Sequence, residues 1–101
     1  MVDRVRVAEE VRAYIADITR STRDERMLSL GASPRATVAL FRAARSNAVL
    51  EGRDFVTPDD VKGIAPAVLR HRVSLSPELE VEGRNADDVL AAILDRVKVP
   101  E

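Results

Sequence analysis

The sequence predicts a mainly α-helical domain, a small bundle of four helices. Apolar residues make up 46% of its 101 residues but aromatic residues only 3%, a composition that favours packed helices over a sheet. Four stretches also repeat their apolar residues at intervals of three and four, which is the helical period. A chain of this length forms one domain with one modest core.

The first predicted helix spans residues 5 to about 22. Val7, Val11, Tyr14 and Ile18 share one face, so this helix should pack on one side only. No clear N-cap precedes it, and the pattern begins abruptly, as expected for a segment cut from a longer chain. After a polar break come the apolar residues Met27, Leu28 and Leu30, which either cover the local core or form a docking patch.

The second predicted helix, residues 34 to about 50, combines strong start signals with one misfit. Ser33 is a suitable N-cap, and Pro34 fits the first helical position. Arg35 then falls in the first turn, where the helix dipole is already positive. A phosphate there would be bound by helix N–H groups and a guanidinium, so this start indicates half of an anion site. The alternative is an arginine that is merely solvated. At 100° per residue, Arg42 lies on the same face, with Arg45 nearby.

The remaining chain predicts two further helices and two short extended segments, at residues 55–56 and 73–82. Thr57 and the proline and two acids after it start the third helix, which should kink or break near Pro66 and then form a last turn that ends near Arg70. His71 follows, and we expect it to cap carbonyl groups rather than to bind phosphate. Asn85 starts the fourth helix, and Pro100 ends it.

Several functional classes lack their residues in this sequence. There is no cysteine and one histidine, which argues against a structural metal site, and the formal charge of -1 argues against nucleic acid as a partner. No P-loop or dinucleotide fingerprint occurs among the four glycines. No apolar run is long enough for membrane insertion, so we expect a cytoplasmic chain. The isolated chain is not expected to be an enzyme.

Three separated blocks carry a family likeness: LGASPRA at residues 30–36, GRDFVTPDDV at 52–61 and VLRHRV at 68–73. In this order they resemble the C-terminal lid domain of MoxR-type AAA+ ATPases. The resemblance implies that residues 1–101 are such a lid, excised from a longer ATPase. It further implies that Arg35 is the sensor 2 arginine, which contacts the γ-phosphate of ATP, and that Gly31, Ser33 and Pro34 support it.

The same resemblance implies the partners. They are the AAA+ core domain of the same polypeptide, neighbouring subunits of a hexameric ring and a client protein that the ATPase would remodel or mature in a chaperone-like way. ATP and Mg²⁺ would belong to the parent protein, and this chain alone would bind no cofactor. The alternative is a stand-alone helical protein-interaction module with a histone-like helix arrangement and no nucleotide role.

Overall fold

A computed structural model of the protein describes residues 5–25, 28–31 and 33–100. The chain there is mainly helical, as predicted, with two short strands. The helices are α1 (Glu9–Asp24), α2 (Pro34–Leu50), α3 (Pro58–Leu69), α4 (Pro77–Val81) and α5 (Ala86–Arg96). The strands β1 (Leu28–Leu30) and β2 (Ser74–Leu75) pair antiparallel, with Leu28 opposite Leu75.

The first helix begins four residues later than predicted. Residues 5–8 are extended instead, and Arg6 forms a parallel bridge with Phe55. The Arg6 N–H donates to the Asp54 carbonyl oxygen, and the Val56 N–H donates to the Arg6 carbonyl oxygen, both at 2.9 Å. Burial alternates along this segment, with Val5 inside and Arg6 outside. This alternation of buried and exposed residues is the period of a strand. The sequence predicts a helix here because Val7 is also in helical spacing with Val11 and Tyr14.

The prediction that residues 73–82 are extended is wrong for the second half of that segment. β2 is followed by the five-residue helix α4, so the described chain has five helices rather than four. No residue of α4 is fully buried, and one turn is too short to show a helical period. The turn ends at Gly83, whose φ of 79° lies in the left-handed region that favours glycine.

Helix α3 is not broken at Pro66 and continues to Leu69. Buried residues on both sides of the proline, Ala65 and Leu69, hold this turn against the core. Beyond the helix, the Arg72 guanidinium donates to the Val68 carbonyl oxygen at 2.7 Å. Arg72 thus makes the capping contact expected of His71, whose side chain is exposed and forms no hydrogen bond with the described residues.

The core lies between α1, α2, α3 and α5, and α2 packs most extensively on α3. Ala36, Ala44 and Ala48 on α2 are completely buried, which lets the helices approach closely. Each fully buried aliphatic or aromatic side chain contributes roughly 1.5–3 kcal/mol. Examples are Tyr14, Ile15, Ile18, Leu40, Leu69, Leu90 and Ile93. Leu28 is also buried and therefore covers the core, whereas Met27 and the side chain of Leu30 lie outside the described residues.

Candidate functional site

Gly31 brings the chain directly across the last turn of α1. A Cβ atom built on Gly31 would lie 2.6 Å from the Cα of Arg23 and 2.7 Å from the carbonyl oxygen of Thr22. Its φ is not positive; of the described residues only Gly52 and Gly83 have positive φ. Gly31 is therefore required for space rather than for an unusual backbone angle, and it places the segment before α2 against α1.

Ser33 and Pro34 form the start of α2 that the sequence predicts. The Ser33 hydroxyl accepts a long hydrogen bond of 3.4 Å from the Ala36 N–H, and the Ser33 carbonyl oxygen accepts a bond of 2.9 Å from the same group. Pro34 occupies the first helical position, where its missing N–H is no loss. The first turn of α2 is therefore well determined.

Arg35 lies in that first turn and is exposed. The turn contains no acidic residue, and none of the ion pairs of the described chain includes Arg35. The other described helices all carry aspartate or glutamate in the first turn. The positive end of the α2 dipole and the Arg35 guanidinium thus face solvent together, an arrangement that suits an anion.

The exposed face of α2 continues from Arg35 as a mixed apolar and basic surface. Val38, Arg42 and Val49 follow Arg35 at helical spacing, and Val38 is 51% exposed. Arg45 lies beside this face but is half-buried, and its Nε has no hydrogen-bond partner. Of the predicted basic stripe, Arg35 and Arg42 are therefore exposed, whereas the side chain of Arg45 is partly buried.

Asp60 is the centre of a polar network that the sequence does not reveal, because helix capping alone accounts for an aspartate at this position. Its side chain is only 3% exposed and receives hydrogen bonds of 2.8 Å from both the Thr57 N–H and Asn47 Nδ2. Arg53 also donates to it and forms an ion pair. Burial raises the pKa of Asp60, but the hydrogen bonds from Thr57, Arg53 and Asn47 outweigh burial and hold that pKa below its usual value.

This network fixes the corner between α2 and α3. Asn47 belongs to the last turns of α2, Arg53 follows the turn, and Asp60 lies in the first turn of α3. Between them Gly52 ends α2 with a φ of 76°, and the Arg53 N–H donates to the Ala48 carbonyl oxygen at 2.9 Å. The GRD and TPDD parts of the second sequence block thus meet in space and set the orientation of α2.

The described residues contain neither a cluster of metal-ligating side chains nor a membrane-spanning helix. No three histidine, cysteine, aspartate or glutamate side chains among them lie close enough together to hold a metal ion. None of the helices described is both long and apolar enough to cross a membrane.

Residues 20–93 match the family model of the AAA lid domain. The chain is 41% identical to YeaC of Bacillus subtilis, and this match covers 98% of the chain and 31% of YeaC. It is 34% identical to the chaperone MoxR1 of Mycobacterium tuberculosis, and this match covers 87% of the chain and 26% of MoxR1. A crystal structure of a protein from Cytophaga hutchinsonii, classed as an ATPase, superposes with a TM-score of 0.92 at 31% identity, covering 99% of this chain and 33% of that one. The chain thus spans about a third or less of the proteins it matches.

Proposed function

This chain belongs to the AAA lid domain family, as a lid of the MoxR type of AAA+ ATPase, and from that premise we propose that it closes over ATP bound to the core domain of a longer polypeptide. The core domain would hold ATP, which supplies the reactive phosphoryl group, and Mg²⁺, which would neutralise charge on its phosphates. The contribution of this chain is a positively charged surface that meets the nucleotide. Its relatives are about three times longer, which leaves room for such a core domain.

Arg35 is the residue that we assign to the γ-phosphate. The observation that carries this assignment is the exposed guanidinium at a helix start without any acidic residue in its first turn. Charge builds up on the phosphoryl oxygens during transfer, and a fixed arginine aimed at them stabilises the transition state. Gly31, Ser33 and Pro34 hold Arg35 in place, because the first anchors the loop to α1 and the other two determine the helix start.

Lid movement would follow from the same contacts. Since Gly31 leaves no space between its own segment and the last turn of α1, a pull on the start of α2 is transmitted to α1. ATP and its hydrolysis products would then favour different lid positions, provided that Arg35 binds them with different affinity. Ring neighbours and a client protein would respond to that position, which is a chaperone-like function of the kind that the name of MoxR1 indicates.

The test replaces Arg35 with alanine in a full-length ATPase that carries this lid. We expect ATP hydrolysis to fall more than tenfold, equivalent to about 1.4 kcal/mol or more of transition-state stabilisation, with an unchanged melting temperature. Arg42→Ala is the matched control, because Arg42 is exposed on the same face about 10 Å along the helix, too far for the same phosphate. Full hydrolysis by the Arg35→Ala protein would contradict the assignment.

A further inference from the structure

A second basic feature lies away from Arg35, in a groove of about 670 Å³. The groove lies between the extended segment 5–8, the first turn of α1, the later part of α2 and the segment 55–56. Arg45, on its α2 side, is ten residues beyond Arg35, or about 15 Å along the helix axis. The groove is therefore separate from the surface that we assign to the γ-phosphate.

The groove combines three arginines with apolar walls. Arg6, Arg12 and Arg45 line it together with Val7, Phe55 and Val56, and none of the described residues that line it is aspartate or glutamate. None of the three arginines takes part in an ion pair of the described chain. Among the described residues, three positive charges thus line one groove without a carboxylate paired to any of them.

Two of these arginines are constrained by the fold, Arg12 by its contacts and Arg45 by partial burial. The Arg12 Nε donates to the Val7 carbonyl oxygen at 3.2 Å, and its guanidinium lies over the Phe41 ring, 5.7 Å from the ring centroid. Arg45 is half-buried, and its Nε is removed from water without an acceptor, which is unfavourable for a charged donor. A carboxylate bound in the groove would balance the charge of this guanidinium.

We propose that the groove binds an acidic segment from the remainder of the ATPase, with an apolar residue beside its carboxylate. This proposal rests on the proposed function, which places this lid in a longer polypeptide. Phe55 is 44% exposed beside the three arginines, and aromatic residues with arginine are typical of the energetic centres of protein interfaces. The charges select a carboxylate, and the apolar walls of the groove select a polypeptide segment that brings an apolar side chain with it.

A crosslinking experiment on the full-length ATPase tests this proposal. Phe55 is replaced by the photoreactive residue p-benzoylphenylalanine, and the crosslinked peptides are identified by mass spectrometry after irradiation. We expect a peptide from outside residues 1–101 that contains aspartate or glutamate beside an apolar residue. Arg6→Gln and Arg45→Gln should each lower the yield of this crosslink about tenfold or more, as loss of one charge-assisted hydrogen bond predicts. Arg6 is exposed, so its variant keeps the test valid if Arg45→Gln fails to fold.

The control for charge alone is Lys62→Gln, because Lys62 is exposed on α3 and does not line the groove. Its crosslink yield should equal that of the parent. Crosslinks confined to residues 1–101, crosslinks only to an unrelated protein, or a yield independent of Arg6 and Arg45 would each overturn the proposal. The readout is also independent of hydrolysis: an active Arg35→Ala protein would refute the sensor assignment while leaving the crosslink in place, and an absent crosslink would leave that assignment standing.

Discussion

Replacing Gly31 with alanine tests how closely the chain passes the end of α1. The new Cβ would lie 2.6 Å from the Arg23 Cα and 2.7 Å from the Thr22 carbonyl oxygen. These distances are roughly 0.8 Å too short for ordinary contact, and overpacking of this kind costs about 1–3 kcal/mol. The atoms concerned belong to a helix backbone and cannot rotate away as the end of a side chain can. At about 4–8 °C for each kcal/mol, the melting temperature should fall clearly.

Gly63 provides the matched control for this substitution. It lies within α3, and a Cβ built there meets nothing within 4 Å. Gly63→Ala should therefore raise the free energy of unfolding by about 0.5–1 kcal/mol, through helix propensity alone. Urea unfolding followed by circular dichroism measures both variants, and we expect changes of opposite sign. If Gly31→Ala is as stable as the parent, the close approach to α1 and the reasoning from it are wrong.

Three further substitutions test the core and the α2–α3 corner. Asp60→Asn should lower the free energy of unfolding by about 2–3 kcal/mol at neutral pH, because Arg53 loses its carboxylate partner. The pKa of Asp60 is lower in the folded state, so its contribution to the free energy of unfolding is present above the unfolded-state pKa and is lost as the pH falls through the folded-state pKa. The urea midpoints of parent and variant should therefore converge in acid, and a constant difference between them would contradict this. The Tyr14 hydroxyl is buried without a partner, so Tyr14→Phe should leave the melting temperature unchanged or raise it, and a clear fall would refute this. Burial, and then the charge of Asp59, raise the pKa of Tyr14. Because Tyr14 is the one tyrosine of the chain, ultraviolet absorbance should show it ionising above its ordinary pKa. The free energy of unfolding should fall as the pH rises through the folded-state pKa of Tyr14. Gly52→Ala should cost about 1 kcal/mol in urea unfolding because of its positive φ, although a Cβ there meets no atom, and a neutral result would exclude that strain.

The helix starts were predictable because their signals are local. Ser33 with Pro34, Thr57 and Asn85 each satisfy N–H groups within three residues, so the sequence contains the whole interaction. The start of α4 has the same serine–proline pair, at Ser76, but the helix is too short for an apolar repeat to support it. Start signals therefore predict where a helix begins, but they do not predict how long it is.

What could not be predicted depends on contacts between distant residues. The strand-like pairing of Arg6 with Phe55 spans 49 positions, and nothing local distinguishes Val5 and Val7 from the start of a helix. Asp60 in turn looks like an ordinary first-turn acid until Asn47 and Arg53 are brought to it by the turn at Gly52. The groove is built from the same distant pairing, so no motif indicates it.

The two basic surfaces of this lid are connected through one rigid helix. Arg35 lies at the start of α2, and Arg45 lies nearer its end, where the Asp60 network joins α2 to α3. A helix transmits a displacement along its axis with little bending, so a pull at Arg35 also moves the α2 side of the groove. If ATP holds the first surface and an acidic segment of the ATPase holds the second, lid position depends on both contacts at once. Weaker binding of the acidic segment in the groove should therefore change the dependence of hydrolysis on ATP concentration without removing the phosphate contact. That dependence can be measured in the Arg6→Gln protein.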